Sequence, residues 1–201
     1  MASVLAGFRP VKHFNGSPWN GQVNRYMISA SEATVTNVGD FVQLGTDAAL
    51  VDPNGGVYPA VSRIGSDTAT PIVGAIVGFE PDYTNLNAGN YRAASTRRIA
   101  LVADANDTIF AGPQDGVGGV VAAASVGLNV AINRGSGNST APYASNMSVD
   151  SSTVATTSTL PLQIVGVTAA VDNDVTSTAR PAEILVRVNT SAYGSAGIAG
   201  V

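Results

Sequence analysis

The amino-acid sequence predicts an all-β fold, a β-sandwich or small jelly-roll-like β-barrel, with an extended N-terminal arm. Three observations carry that reading. Short runs rich in Val, Ile and Thr recur along the 201 residues, punctuated by clusters of Gly, Asn, Asp and Pro. Long exposed helices lack their usual filler, because the chain holds a single Lys and three Glu. Charged residues are 12% of the chain, about half the roughly 25% of an average soluble domain. Small polar and apolar groups must therefore cover the surface, which suits extended contact with protein partners.

Residues 1–22 read as the arm. Phe8, Phe14 and Trp19 stand among Arg9, Lys12 and His13, and no acidic residue precedes Glu32. Pro10, Pro18 and the turn pairs Asn15-Gly16 and Asn20-Gly21 forbid a regular helix here. Three large rings in an irregular basic segment cannot form a core of their own, so they must dock on the body or on a neighbour. Phe8, Arg9, Lys12, His13, Phe14 and Trp19 are accordingly the candidate protein-interface residues.

Residues 23–201 read as a single β-domain. Strands are expected at 23–30, 40–44, 57–64, 72–79, 99–103, 108–111, 128–133, 163–169 and 183–189. Turn chemistry separates them at 52–56, 65–67, 87–90 and 135–139. Ile184, Val186 and Val188 alternate with Leu185, Arg187 and Asn189, as a half-buried strand requires. The runs 72–79 and 164–167 are more continuous and so more deeply buried. Gly74, Gly78 and Gly166 inside them point to bulges or barrel corners. One stretch, 118–127, is helix-compatible, and 145–159, dense in Ser and Thr, reads as a surface loop.

Composition removes several function classes. Without cysteine there are no disulfides, thiolate nucleophiles or cysteine metal sites. A net charge of −4 gives no positive field for nucleic acid. The weakly polar stretch 117–132 is interrupted by Gly118, Gly119, Ser125, Gly127 and Asn129, and is too short to span a membrane. The opening, Met1 to Phe8, has neither the basic start nor the apolar run of a secretory signal.

Catalytic patterns are missing too. The only histidine, His13, has no Gly-x-Ser-x-Gly elbow to serve, so it reads as a polar contact residue. Asp104, Asp107 and Asp115 form one acidic cluster, and Asp172 with Asp174 a second. Neither has the spaced acidic series ending in Glu that an EF-hand uses. Asp104-Ala105-Asn106-Asp107-Thr108 fits a tight Asx turn between two strands instead. The expectation is a non-enzymatic protein without metal or cofactor.

Several pieces, taken in order, resemble the head decoration or cement proteins of tailed bacteriophages. Gly7-Phe8-Arg9-Pro10-Val11 followed by Asn15-Gly16-Ser17-Pro18 is similar to that family's N-terminal arm, and Ile76-Val77-Gly78-Phe79 to a core strand. The segment from Arg98 through Val102-Ala103-Asp104-Ala105-Asn106-Asp107 to Phe110 resembles the family's VADDPN-x-x-F pattern. Val126-Gly127-Leu128-Asn129, Gly135-Ser136-Gly137, the stretch 152–162 and Ile184 to Asn189 follow in the same order. Ala111-Gly112-Pro113 departs from the pattern, where the family carries a further acidic or polar strand residue.

The resemblance implies a β-protein made in the bacterial host cytoplasm and bound to the outer surface of the phage head. There it would bridge neighbouring subunits of the major capsid protein and resist internal DNA pressure. It further implies a homo-oligomer, a dimer or a trimer, with neither nucleic acid nor membrane as partner. The competing readings are a tail-fibre or receptor-binding module, a carbohydrate-binding β-domain, and a hydrolase on a β-scaffold, which the missing nucleophile geometry disfavours.

Overall fold

The computed structural model describes residues 7–52, 55–82, 85–168, 173–174, 182–194, 197 and 200. Residues 1–6 of the expected arm, Ala169 of the expected strand 163–169, and Asp172 lie outside them. In chain order the strands are β1 (Arg9–His13), β2 (Asn24–Ile28), β3 (Thr36–Asn37), β4 (Phe41–Val51), β5 (Val57–Arg63), β6 (Gly74–Phe79) and β7 (Tyr91–Arg92). They continue with β8 (Arg98–Ala103), β9 (Thr108–Pro113), β10 (Asn129–Asn133), β11 (Ser148–Ala155), β12 (Leu162–Val167) and β13 (Glu183–Val188).

Two layers result. A six-stranded sheet runs in the order β1-β9-β13-β12-β10-β11 and is antiparallel throughout. Strands β2, β5, β4, β6 and β8 close into a small barrel, within which β2 and β5 run parallel. The barrel fills its own interior with Ile28, Val42, Val61, Ile76, Phe79 and Val102. A second apolar cluster joins the layers. Phe110, Ile132, Val149, Leu162, Ile164 and Val186 of the sheet meet Phe41, Ala75 and Ala103 of the barrel.

Two of the three glycines inside the apolar runs mark bulges; Gly74 keeps regular register opposite Val42 and instead allows the close approach of the Ala103 carbonyl. Register slips between Ile76 and Gly78 in the barrel, and between Ile164 and Gly166 in the sheet. The aspartate-rich turn also forms where the residue types place it. Between β8 and β9 the chain crosses from barrel to sheet, and the Thr108 N–H donates to Ala105 O at 3.0 Å.

Three expectations need correction. The helix-compatible stretch 118–127 holds only a three-residue 3-10 turn, Ala123–Ser125, because Gly118, Gly119 and Gly127 all take positive φ. The Ser/Thr-rich stretch 145–159 is not all loop: it contains β11, whose Val149 is fully buried. Its polar side chains are absorbed locally, since Ser151 Oγ donates to Asp115 Oδ1 at 2.9 Å and Thr153 Oγ1 to Asp150 O at 2.8 Å.

The third correction concerns the arm. Residue 22 is not a boundary of the fold, because β1 is the edge strand of the six-stranded sheet. Phe8 is 1% exposed, with its ring centroid 4.4 Å from that of Phe41, which in turn meets Phe110 edge-on at 5.2 Å. The Phe8 N–H donates to Gly39 O at 2.9 Å, tying the strand's start to the barrel. Among the described residues, no helix is long and apolar enough to cross a membrane.

Candidate functional site

The segment 9–19 builds a surface patch from its own irregularity. Arg9 pairs with Ala111 and Pro10 with Phe110, but the next pair is Lys12 with Ile109, leaving Val11 as an inserted residue. In a regular strand Val11 would face Ile109 and Lys12 would turn to the opposite face. The bulge puts Lys12 back on the face that Arg9 occupies. Pro10 is tolerated there because β1 is an edge strand.

Register then carries a row across the sheet. Lys12 lies opposite Ile109, Ile109 opposite Arg187, and Arg187 opposite Gln163. Arg187 Nε donates to Gln163 Oε1 at 2.8 Å. Its guanidinium carbon sits 5.1 Å from the centroid of the Phe14 ring, a cation–π contact. Phe14 is held at the end of β1 by its N–H, which donates to Asp107 O at 2.7 Å, yet the residue is 61% exposed. A partner that covered the ring would remove its apolar area from water, a favourable change.

The remaining expected residues divide by role. Arg9 Nη2 donates to both carboxylate oxygens of Glu183 at 2.8 Å, so its charge is neutralised within the sheet. Lys12 and Arg187 have no carboxylate partner among the described residues, and they leave the patch net basic. His13 Nδ1 lies 3.0 Å from Asp107 Oδ1, and its side chain is mostly covered. Trp19 is half-buried against the interlayer core, and its backbone N–H donates to Val11 O at 3.2 Å. Phe8 belongs to the core and is not available to a partner.

Arg187 and Gln163 were not among the expected interface residues. Arg187 stands in an alternating strand, which marks it as outward-facing. Nothing local pairs it with Phe14, because only the order of β1, β9 and β13 brings the two together.

Asp104, Asp107 and Asp115 of the first acidic cluster are committed to neighbouring side chains and N–H groups. Asp104 accepts from Asn24 Nδ2 at 3.0 Å and Tyr26 Oη at 2.6 Å, and Asp107 meets His13. Asp104 and burial together push the Tyr26 phenol far above its ordinary range, burial contributing most. A polar cleft of about 370 Å³ opens beside the barrel, lined in part by Ser29, Glu32, Thr34, Gln43, Asp47 and Arg134. One wall is fastened by the fully buried Arg92, which donates to the carbonyls of Ser29, Glu32, Thr34 and Thr96 at 2.5–2.7 Å. No family model, no curated protein and no solved structure matches the chain.

Proposed function

We propose that this chain is a structural virion protein that decorates and cements a phage capsid, bridging neighbouring subunits of the major capsid protein. The observation that carries the reading is the Phe14 ring, fixed at its backbone, stacked under Arg187 and open to solvent on a segment whose Lys12 has no carboxylate partner among the described residues. A rigid aromatic with a cationic rim is the kind of group that anchors protein interfaces. Complementarity calls for a partner surface that is apolar at its centre and acidic at its edge. On a shell the same modest contact repeats at many sites, so weak individual attachment is enough to hold the layer. The resemblance of the 98–110 segment to the decoration family supports the same reading, since that segment forms the crossing from barrel to sheet. Titrating purified capsid shells with wild type and with Phe14→Ala, and measuring occupancy, tests it.

A second reading, a glycan- or receptor-binding module, draws on one observation. Tyr91 and Tyr143 stack at 4.6 Å with an interplanar angle of 16°, although they are distant in sequence. Aromatic pairs of this kind can present a face to a sugar ring. Glycan-array binding that disappears in Tyr143→Ala would favour it over the capsid reading.

A further inference from the structure

The turn pairs Asn15-Gly16 and Asn20-Gly21 have the same local sequence chemistry but different structural settings. An Asn followed by Gly can convert itself. The backbone nitrogen of the Gly attacks the Asn Cγ, a C–N bond forms, and the side-chain amide leaves as ammonia, taking up the proton the nitrogen gave. Water then opens the cyclic imide at either carbonyl, leaving Asp or isoaspartate. Glycine favours the step because no Cβ obstructs the approach of its nitrogen. A third pair, Asn54-Gly55, has its Asn outside the described residues and plays no part in the comparison.

At Asn15 both reacting groups are tied. The carboxamide oxygen accepts from the Ser17 N–H at 2.9 Å and the Ser17 hydroxyl at 2.8 Å, which turns Cγ toward residue 17. The attacking nitrogen, that of Gly16, donates to His13 O at 2.9 Å. At Asn20 neither group is held. The Asn20 carboxamide and the Gly21 N–H have no hydrogen-bond partner among the described residues, and both residues are exposed. The two glycines are alike in conformation, φ +91 at Gly16 and +84 at Gly21, with no atom within 4 Å of either Cβ position, so the hydrogen bonds make the difference. Trp19, packed on the core, and the Asn20 N–H bond to Gln22 Oε1 at 3.0 Å hold the flanks in place.

We propose that Asn20 is a self-modification site, converting through Gly21 to Asp and isoaspartate well ahead of Asn15. The product puts a carboxylate into a segment that otherwise carries only Arg9 and Lys12 as charges. In the iso form it also lengthens the backbone by one carbon directly after Trp19.

The full-length chain is incubated in heavy-oxygen water at mildly alkaline pH and digested with trypsin. Cleavage after Lys12 and Arg25 leaves both asparagines in one peptide, 13–25, and fragment ions between positions 15 and 20 separate them. Heavy oxygen is expected on residue 20 at least about fivefold faster than on residue 15, the factor that one hydrogen bond of ordinary net strength contributes. In denaturant the two rates should converge, since the difference comes from the fold. Asn20→Ser should abolish the early acidic form seen on ion exchange. Equal labelling of the two positions in the folded protein, faster labelling at 15, or no label at 20 would each overturn the proposal.

Discussion

The Phe8 ring occupies the space that a side chain at Gly112 would need: a Cβ built there lies 2.3 Å from ring Cδ1. Gly112 lies in β9, one residue past Ala111, the partner of Arg9 in the β1 register, so the contact is cross-strand. A larger residue at 112 would evict the ring. Gly112→Ala is expected to cost about 1–3 kcal/mol by overpacking. Phe8→Ala should cost about 3–5 kcal/mol through the cavity beside Phe41 and Phe110. Urea unfolding midpoints measure both. A Phe8→Ala midpoint equal to wild type would mean that the N-terminal segment is dispensable after all.

Asp40 and Arg63 form an ion pair at 2.9 Å inside the protein, with side chains 0% and 6% exposed. Ser145 Oγ donates to the free Asp40 oxygen at 2.5 Å, and Arg63 also reaches the carbonyls of Arg134 and Gly135. The pair therefore fastens the 134–147 connection to the barrel. Asp40→Asn should destabilise by about 3–5 kcal/mol, because a buried guanidinium loses its counter-charge. Adding Arg63→Met should recover part of that loss. A single variant within about 1 kcal/mol of wild type, or a double variant worse than the single, would contradict this account.

The reach of sequence reasoning follows from what each strand uses to fold. The barrel and inner-sheet strands were legible because Val and Ile runs mark them and Gly78 and Gly166 mark their bulges. Strand β11 was not, since its hydroxyls are satisfied by Asp115 and Asp150 and only Val149 and Val154 report its apolar side. The patch was half legible. Arg9, Lys12, His13 and Phe14 could be named by type, but the burial of Phe8 depends on Gly112 across the sheet. Arg187 joins Phe14 only through strand order.

Asp115 gives the protein an acid-sensitive contact. Burial alone would raise its carboxyl. The Asn133 amide, the N–H groups of Val117 and Ser151 and the Ser151 hydroxyl outweigh that and hold it below the usual carboxylate range. A folded-state value below the unfolded one stabilises the fold above the ordinary pKa of about 3.9. That contribution is lost as pH falls through the folded-state value. Other carboxylates also respond to acid, so the difference between wild type and Asp115→Asn isolates this one. The gap in melting temperature should be full near neutrality and narrow as pH drops from about 5 toward 1. A gap that is constant with pH would remove Asp115 from the acid response.

Arg92 should not tolerate lysine. Its guanidinium spans four carbonyls from two loops, a spread that a single ammonium nitrogen with three donors cannot match. At least one of these part-buried carbonyls loses its donor in Arg92→Lys, at a cost of about 1 kcal/mol. Hydrogen exchange should then rise in residues 29–34 and 93–96 before it rises in the barrel strands. Uniform exchange across the protein would show that Arg92 supports the whole fold and not these loops.

The capsid reading makes its sharpest demand on Phe14. If the ring is the anchor, Phe14→Ala should weaken attachment to purified shells by about 2 kcal/mol per site, the scale for an aromatic in a desolvated pocket. Its exposure means the unfolding midpoint should barely move, since the variant removes no core contact. Lys12→Ala and Arg187→Ala should act differently from each other. Lys12 has no acid partner among the described residues, so its loss should slow association and flatten the dependence of binding on salt. Arg187 also fixes the ring, so its loss should speed dissociation as well. Trp19→Ala serves as the contrast: it should lower stability first, because Trp19 packs on the interlayer core. Shell occupancy measured against protein concentration at two salt levels separates these cases. Unchanged attachment in Phe14→Ala, with the fold intact, would rule out this patch as the point of contact.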